Sequence, residues 1–434
     1  MNERKTLNYD NNGQLVIGGI TATELAKKYG TPLYVMDQQY IEDMCGIYSE
    51  TLQKEYGDGM IVYASKAFSC KEIYRIINSM NIGADVVSGG EIYTAMQAGF
   101  PMEKVCFHGN NKTIEELTLA IESKVGLIVL DSYSEADILD ELCRKFGVTQ
   151  KVLIRVNPGV EAHTHHFIQT AKIDSKFGFS ISSGEAEEMI LHVKDKANLI
   201  LSGLHCHIGS QIFEEKSFVL AVEKMTDFYK LLKDKHGIIF DTLNLGGGFG
   251  IWYADGDAKK SVIDYAGYIK IIASELNKCV EAKGLTKPFL ILEPGRSIVG
   301  EAGVTLYTIG RIKNIKNVKN YIAVDGGMFD NPRFALYQAK YTVIPVKKEN
   351  YTNTDNYTIA GKCCESGDII AEDVYLPNVK EGDLLAVLST GAYNYSMSSN
   401  YNRNLIPPVV MVKNGVSRYA VKPQTYEDII RNDV

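Results

Sequence analysis

The stretch LILSGLHCHIG (199–209), with SFVLAVEKMTDFYKLLKDKHG (217–237) and DTLNLGGG (241–248), decides the fold. The outer two segments are short and rich in residues that favour strands, while the middle one carries apolar residues at helical spacing. A strand, a helix and a second strand in this order indicate a parallel strand pair joined by a right-handed crossover. The first expectation is therefore a fold built on βαβ units.

The same alternation of strand and helix runs from about residue 60 to residue 296. The other strand-like runs are MIVYASK (60–66), ADVV (84–87), KVCFHG (104–109), LIVLDS (127–132), KVLIRVNP (151–158) and PFLILEPGR (288–296). Eight such units over about 230 residues match a closed (β/α)₈ barrel of the TIM type. A doubly wound open sheet is the alternative, but it does not require eight strands.

After about residue 300 the sequence pattern changes from alternating elements to successive strands. The runs are VTLYTIGRIKNI, YIAVDGG, YTVIPVKK, DIIAEDVYLP, DLLAVLS and VVMVKNGVSRYAV. They predict an antiparallel, all-β second domain of Greek-key barrel or sandwich type. The opening runs LVIGG and TPLYVMD should join it, because Pro32 disfavours a helix there. The expected domains are residues 38–285, with the last barrel strand reaching about 296, and residues 1–37 with 286–434.

Composition excludes several classes of protein. Of 434 residues, 46 are Lys or Arg and 53 are Asp or Glu, and these charges are scattered, so no basic patch for nucleic acid or an anionic membrane is expected. The longest apolar runs, such as Leu127 to Leu130, are too short to span a bilayer, and the start lacks an apolar secretory core. Eight cysteines without a CxxC pair indicate reduced thiols. A cytoplasmic protein that acts on small molecules is expected.

Polar residues fall at the carboxyl ends of the predicted barrel strands, where barrel active sites are built. In strand order they are Lys66, Asp85 with Ser88, His108, Arg155, His205 with His207, Gly246 to Gly248, and Glu293 with Arg296. The sequence therefore predicts that these groups meet on one rim.

Three of these positions have a specific chemistry and a plainer alternative. Lys66 follows an apolar strand, and a desolvated lysine amine can form a Schiff base, although it could also be a surface lysine. The glycines of LNLGGGFG leave backbone N–H groups open to an anion, although they could form only a tight turn. In EPGR (293–296) a carboxylate could face a pyridine-type nitrogen and a guanidinium a phosphate, or the two could form a surface ion pair.

The histidines allow a different interpretation. His205 and His207 are two apart on a predicted strand, so they should face the same side. They could bind zinc, with His163, His165 and His166 as further ligands, or an imidazole could stack on an aromatic cofactor. Because the further ligands lack motif spacing, a zinc hydrolase is only a rival hypothesis and no metal is assigned.

A lysine at the barrel mouth, a glycine run for a phosphate and a glutamate for a ring nitrogen describe a pyridoxal phosphate (PLP) site. The chain resembles the barrel-type PLP decarboxylases of the alanine-racemase-like fold, and within them the diaminopimelate decarboxylase family. The matching motifs are YASKA (63–67), GLHCHIGSQI (203–212), LNLGGGFG (243–250), EPGR (293–296), DGGMFDNPRFALY (325–337), CESGD (364–368) and GAYNYSMSSNYN (391–402).

The resemblance implies a role for each matched residue. Lys66 would bind PLP covalently and His207 would stack on its ring, with Cys364 as the proton donor to the product. The cofactor-binding set would be Lys66, Asp85, Arg155, His207, Ser210, Gly247, Gly248, Glu293, Gly295, Arg296 and Tyr393. The substrate-binding set would be Arg296, Arg333, Tyr337, Glu365 and Tyr393. Cys364 and Glu365 would serve the partner subunit, which implies a homodimer with shared active sites.

The implied reaction is the decarboxylation of meso-2,6-diaminopimelate to L-lysine and CO₂, the last step of lysine biosynthesis. Arg333 would recognise the distal carboxylate, which ornithine lacks. The alternatives are a sister decarboxylase for ornithine, lysine, arginine or carboxynorspermidine, and a non-catalytic regulatory protein with the same fold. FIQTAKIDSKFGF (167–179) also resembles the family's substrate-side loop, whereas EAHTHH (161–166) departs from the pattern. Cys363 is expected to serve packing only.

Overall fold

The chain forms two compact units. Its structure is a computed structural model that describes residues 6–160, 176–253, 262–348 and 354–434. The first unit comprises Met44–Gly250 and Asp264–Arg296, and the second comprises Met1–Asp43, Ile251–Ile263 and Ser297–Val434.

The N-terminal part of the second unit begins with a small sheet. Strands β1 (Leu7–Tyr9), β2 (Leu15–Ile17) and β3 (Ile20–Thr21) pair antiparallel, and α1 (Ala22–Tyr29), β4 (Leu33–Asp37) and α2 (Gln38–Glu55) follow. The runs LVIGG and TPLYVMD contain strands β2 and β4, as expected, and the helix α1 between them was not predicted. Thr21 and Glu24 form a capping box at its first turn, and the helix ends at Tyr29, before the proline is reached.

The first unit is a closed barrel of parallel strands. In the described residues its strands are β5 (Gly59–Ala64), β6 (Gly83–Val86), β7 (Val105–Phe107), β8 (Leu127–Leu130), β9 (Gln150–Asn157), β10 (Phe179–Ser180), β11 (Leu199–His205), β12 (Thr242–Asn244) and β13 (Phe289–Leu292). All except β10 form one ring, because β13 pairs with β5 and β8 pairs with β9. The eight-stranded barrel predicted from the sequence is confirmed.

Helices follow the barrel strands along the chain. They are α3 (Lys71–Ser79), α4 (Gly89–Gln97), α5 (Ile114–Glu122), α6 (Tyr133–Phe146), α7 (Glu185–Lys194), α8 (Glu215–His236), α9 (Tyr265–Ala282) and the short α10 (Arg296–Val299). Side-chain caps fix where several begin: Ser88 accepts a hydrogen bond from Glu91 N, and Thr113 forms a capping box with Glu116. Across the described ranges, every helix falls short of the length or apolarity that crossing a bilayer takes.

The second unit contains a large mixed sheet. Its further strands are β14 (Gly303–Ile315), β15 (Lys319–Val324), β16 (Val343–Pro345), β17 (Asp355–Ala360), β18 (Ile369–Leu376), β19 (Leu384–Leu388), β20 (Val409–Lys413) and β21 (Val416–Val421), with helices α11 (Arg333–Tyr337) and α12 (Tyr426–Ile430). The strand order is β18-β17-β15-β14-β4-β20-β21, and β19 pairs with both β14 and β16. A second, sheet-rich domain that draws strands from both chain ends is confirmed.

Two pairings in this sheet differ from the antiparallel expectation. β15 runs parallel to β17, and β4 runs parallel to β20. Parallel neighbours need a long connection. The chain supplies one between β15 and β17, where it passes through α11 and β16, and β4 and β20 lie at opposite ends of the sequence. Successive strand-like runs therefore do not guarantee hairpins.

Sequence reasoning missed two features of the second unit. Strand β17 was not recognised, although its DNYTIA sequence ends in an alternating apolar pattern. Ile251–Ile263 groups with this unit, whereas the sequence pattern placed it in the barrel domain. Hydrogen bonds explain the grouping, because the carbonyl of Tyr253 accepts from the amide of Thr342 at 3.2 Å and from its hydroxyl at 3.1 Å.

Candidate active site

The predicted rim residues of the barrel lie at the carboxyl ends of its strands. Lys66 follows β5 in a short 3₁₀ turn, Asp85 lies in the last part of β6, and His108 comes directly after β7. Arg155 lies in β9, and His205 ends β11. This unit therefore brings together most of the polar groups that the sequence singled out.

The side chain of Lys66 is exposed, although its neighbours Ser65 and Ala67 are buried. The expectation of a desolvated amine is wrong for the isolated chain, because the apolar lead-in buries the strand and not the lysine that follows it. The backbone around it is tightly held. A Cβ built on Gly295 would lie 2.8 Å from the Cβ of Ala64, so only glycine lets the chain after β13 approach the end of β5 this closely.

Glu293 is the centre of a buried hydrogen-bond network at the rim. Its Oε1 lies 2.8 Å from Nε2 of His108 and accepts a hydrogen bond from Nδ2 of Asn244 at 2.6 Å. Its Oε2 lies 3.8 Å from Nδ1 of His205. Both strong contacts converge on one carboxylate oxygen, which fixes the rotation of the carboxylate. Asn244 was not singled out from the sequence, although it lies in the LNLGGGFG motif.

Burial sets the charge of the groups around Glu293. It lowers the pKa of His108 to about 4 and that of His205 to about 3, so both imidazoles are neutral near pH 7. Burial also raises the pKa of Asp85. Neutral His108 can donate its Nε2 hydrogen to Glu293 without cancelling the carboxylate charge.

The two predicted same-face histidines lie in different surroundings. His205 ends β11 and packs edge-on against His108, with ring centroids 4.6 Å apart. His207 lies beyond the strand, and a Cβ built on Gly246 would come 3.0 Å from its Nδ1. Strand β11 ends at His205, so the strand alternation that predicted a shared face does not extend to His207.

A different group of three side chains has the spacing of metal ligands. The donor atoms of His108, His205 and Glu293 lie within 4.8 Å of one another. The sequence-based zinc hypothesis used His205 with His207, and its further candidates, His163, His165 and His166, lie outside the described residues. The loop 167–179 falls mostly outside them as well.

The glycine run after β12 brings three loops together. Cβ atoms built on Gly247 and Gly248 would lie 2.0 Å from the carbonyl oxygen of Glu293 and 2.4 Å from that of Gly209. Gly246 and Gly248 also have positive φ angles of 68° and 107°. Beside this run, Nη2 of Arg296 donates to the hydroxyl of Ser210 at 3.0 Å. A guanidinium and a hydroxyl therefore lie next to backbone that carries no side chains.

Arg155 and Asp131 contact Phe177 and Gly178, which follow the 161–175 segment. The guanidinium of Arg155 lies 4.3 Å from the ring centre of Phe177, and Oδ1 of Asp131 accepts from the amide of Gly178 at 2.6 Å. Burial lowers the pKa of Arg155. The sequence predicts cofactor binding for Arg155, and in the structure its guanidinium also packs on the ring of Phe177.

In the second unit, Arg333 begins α11 and is buried among tyrosines. Its Nη1 donates to the hydroxyls of Tyr253 at 3.0 Å and Tyr341 at 3.1 Å. The guanidinium also lies 5.5 Å from the ring centre of Tyr393 and 6.0 Å from that of Tyr337. Its Nε is buried and has no hydrogen-bond partner in the described residues. Sequence reasoning missed Tyr253 and Tyr341, which lie outside the motifs.

Cys364 and Glu365 are exposed in the loop between β17 and β18. The amide of Cys364 donates to Oδ1 of Asn402 at 2.8 Å. Cys363 is half-buried, and burial, with the nearby charge of Asp368, raises the pKa of its thiol to about 12. Two adjacent cysteines therefore differ in exposure. All eight cysteines are free thiols.

The rim groups fit a bound PLP by their chemistry. Oδ1 of Asp85 and Nδ1 of His205 are buried beside Glu293 without a hydrogen-bond partner in the described residues. Buried polar atoms of this kind normally have a partner, so they indicate that a polar ligand belongs there. Glu293 suits a protonated ring nitrogen, Lys66 offers an accessible amine, and Arg296 suits a phosphate.

Comparison with known proteins places the chain in a family. Residues 48–300 match the family model described as pyridoxal-dependent decarboxylase, pyridoxal binding domain. The chain is 46% identical over 429 residues to diaminopimelate decarboxylase of Bacillus subtilis (strain 168), which covers 99% of this chain and 97% of that protein. The chain belongs to the diaminopimelate decarboxylase family.

Other members of the diaminopimelate decarboxylase family agree in sequence and structure. The enzyme of Staphylococcus aureus (strain COL) is 44% identical, with 99% of each chain covered. The crystal structure of diaminopimelate decarboxylase from M. jannaschii in complex with L-lysine superposes with a TM-score of 0.91 at 36% identity, covering 99% of this chain and 98% of that one. Membership in the family confirms the resemblance seen in the motifs, the barrel fold, and PLP as the cofactor.

Proposed function

We propose that this chain catalyses the PLP-dependent decarboxylation of meso-2,6-diaminopimelate to L-lysine and CO₂, the last step of lysine biosynthesis. The names of the relatives support the reaction, and one structural observation supports the substrate. Arg333 is a buried cation whose described hydrogen-bond partners are neutral tyrosine hydroxyls.

A buried guanidinium with an open N–H is suited to an anionic ligand, because a buried charge is costly unless it is paired. Diaminopimelate carries a carboxylate at each end, so one remains after the other leaves as CO₂. Ornithine, lysine, arginine and carboxynorspermidine have only the carboxylate that reacts. Arg333 therefore favours diaminopimelate over the substrates of the sister decarboxylases.

The barrel residues would hold and tune the cofactor. Lys66 would bind it through its amine, Glu293 would contact its ring nitrogen, and His207 would stack on the ring. The remaining cofactor residues would be Asp85, Arg155, Ser210, Gly247, Gly248, Gly295, Arg296 and Tyr393. When bound, PLP supplies a protonated pyridine ring that accepts the electron pair of the breaking Cα–carboxylate bond. Glu293 supports this chemistry because its carboxylate stabilises the added proton.

The remaining residues would bind the substrate and complete the reaction. Arg333 would contact the distal carboxylate, with Arg296, Tyr337, Glu365 and Tyr393 as the other substrate contacts. The thiol of Cys364 would donate a proton to the carbon that lost CO₂, which gives lysine after the amine is released. His207 would keep water from the face of the ring that it covers.

We further propose that the active form is a homodimer in which Cys364 and Glu365 serve the partner's barrel. Their exposure in the isolated chain supports this arrangement, because a proton donor should be shielded from water in the assembled site. A thiol that must stay reduced also supports a cytoplasmic location. Mixing Lys66→Ala and Cys364→Ala chains tests the dimer. After subunit exchange, about a quarter of wild-type activity should return, since half of the dimers carry one intact site. No recovery after verified exchange would contradict shared sites.

A substrate panel tests the reaction. Purified protein with PLP is supplied with meso-diaminopimelate, ornithine, lysine, arginine or carboxynorspermidine, and released CO₂ is measured. Release should be specific to meso-diaminopimelate, and Lys66→Ala is the inactive control. Preferential release from ornithine or another monocarboxylic substrate would overturn the assignment. Absence of release from any substrate, with the visible band of the bound cofactor present, would favour the non-catalytic regulatory protein.

A further inference from the structure

We infer that Asp368 is a positioning residue for Cys364, because its carboxylate joins the loop that carries Cys364 to the segment that leads into α11. The inference rests on the proposed role of Cys364 as proton donor. The two connected pieces are called here the Cys364 loop (residues 361–368) and the approach segment (residues 325–332).

The carboxylate of Asp368 accepts a backbone hydrogen bond from each piece. Its Oδ1 accepts from the amide of Met328 at 2.6 Å, and its Oδ2 accepts from the amide of Cys363 at 2.7 Å. The side chain is only 3% exposed, so water does not compete for either oxygen. One carboxylate thus satisfies two backbone donors from segments about 35 residues apart in sequence.

The backbones of the two pieces also touch each other directly. The amide of Lys362 donates to the carbonyl of Gly326 at 2.9 Å. A Cβ built on Gly361 would lie 2.4 Å from Cα of Gly327 and 2.3 Å from Oδ2 of Asp368. Glycine at both positions is what lets the carboxylate lie between the two backbones.

Backbone hydrogen bonds of Asp368 also hold the Cys364 loop together. The amide of Asp368 donates to the carbonyl of Glu365 at 3.1 Å, and the amide of Gly361 donates to the carbonyl of Asp368 at 2.9 Å. The Cys364 amide is held in turn by Asn402. The exposed residues Cys364 and Glu365 are therefore held at both ends by buried or backbone contacts, as a precisely placed proton donor requires.

Asp368 also separates the chemistry of the two adjacent thiols. Burial and the nearby carboxylate keep Cys363 protonated, with a pKa raised to about 12. At pH 8 an alkylating reagent should therefore react only slowly with Cys363. The relative alkylation rate of the two thiols reports whether Asp368 holds its position.

Asp368→Asn tests the inference in the holoenzyme. An asparagine side chain has one carbonyl oxygen, so it can accept only one of the two amide hydrogens. We expect the visible band of the bound cofactor to persist, KM to change little, and kcat to fall roughly 10- to 100-fold, as a misplaced catalytic group does. Because the carboxylate is the second cause of the raised Cys363 pKa, after burial, the rate at which iodoacetamide alkylates Cys363 at pH 8 should rise. Asp373→Asn, an exposed carboxylate on β18, is the matched control.

The outcomes separate this inference from the proposed function. If the wild type releases CO₂ from diaminopimelate and Asp368→Asn keeps wild-type kcat and thiol selectivity, the positioning role is overturned. If the wild type releases none, the proposed function itself fails. Should the variant not fold, hydrogen exchange in the wild-type holoenzyme decides. The amides of Met328 and Cys363 should both exchange slowly, and fast exchange of the Cys363 amide would overturn the inference.

Discussion

Nε2 of His108 lies 2.8 Å from Oε1 of Glu293, and both side chains are buried at the barrel rim. The neutral histidine and Asn244 both contact the same carboxylate oxygen, Oε1. Glu293 is thus oriented by its neighbours before a cofactor binds.

His108→Phe should weaken cofactor binding, because Glu293 loses one of its two orienting donors. A hydrogen bond to a charged group contributes about 1.5–3 kcal/mol, which corresponds to roughly 10- to 150-fold in affinity. Titration of the cofactor-free protein with PLP, followed by visible absorbance, measures the change. His192→Phe, which alters a histidine on α7 far from this network in sequence, is the control. Equal affinities for the wild type and His108→Phe would refute the orienting role.

Tyr253→Phe should raise KM for diaminopimelate, because the guanidinium of Arg333 loses a hydroxyl that holds it at 3.0 Å. A single hydrogen bond contributes about 0.5–1.5 kcal/mol, or roughly two- to tenfold in KM. In the double variant Tyr253→Phe/Tyr341→Phe, the free-energy cost calculated from KM should exceed the sum of the costs of the two single variants, because both hydroxyls hold the Arg333 guanidinium. Steady-state kinetics check this, with the exposed Tyr375→Phe as control. A changed kcat at constant KM would argue against a binding role.

Cys364→Ala should slow turnover by about 10²- to 10⁴-fold, as removal of a general acid does. The visible band of the bound cofactor should remain, because Cys364 lies on an exposed loop and not in the barrel. Cys363→Ala is the matched control, and it should retain most of its activity. Loss of the cofactor band in Cys364→Ala would instead assign the thiol a structural role.

The stability of the barrel should fall on acidification through His205. Burial lowers the pKa of His205 to about 3 in the folded chain, whereas an unfolded histidine titrates near 6.5. Between these values only the unfolded state takes up the proton, so stability is lost as pH falls from about 6.5 towards 3. Urea unfolding of the cofactor-free protein measures this effect. As pH falls through this window, the free energy of unfolding should decrease by up to about 1.4 kcal/mol per pH unit more in the wild type than in His205→Asn. Parallel pH profiles would contradict the neutral, buried assignment.

Local sequence patterns predicted the barrel well because its short apolar strands alternate with helices whose apolar residues recur at helical spacing. The rim could also be predicted, since the carboxyl ends of parallel strands always lie on the same side. The partners of the rim groups could not. His108 and Glu293 are 185 residues apart, and only closure of the ring brings their strands near each other. No periodicity marks Asn244 as a donor to Glu293.

The second unit was harder to predict for the same physical reason. Its antiparallel interpretation failed where β17 and β20 pair with strands distant in sequence, because register there depends on long connections and not on turns. The Arg333 cluster joins α11 to Tyr253 from the middle of the chain. The motif contained the arginine, while Tyr253 and Tyr341, whose hydroxyls accept its hydrogen bonds, lie outside every motif.

The carboxylate of Asp368 has a consequence for communication between subunits. In the proposed dimer, the approach segment leads to Arg333, which would bind substrate, while the Cys364 loop would protonate product in the partner's site. A single side chain would then connect the specificity element of one catalytic centre to the proton donor of the other. The two centres would then be linked through the hydrogen bonds of one carboxylate. Asp368→Asn would remove one of these bonds and weaken that link.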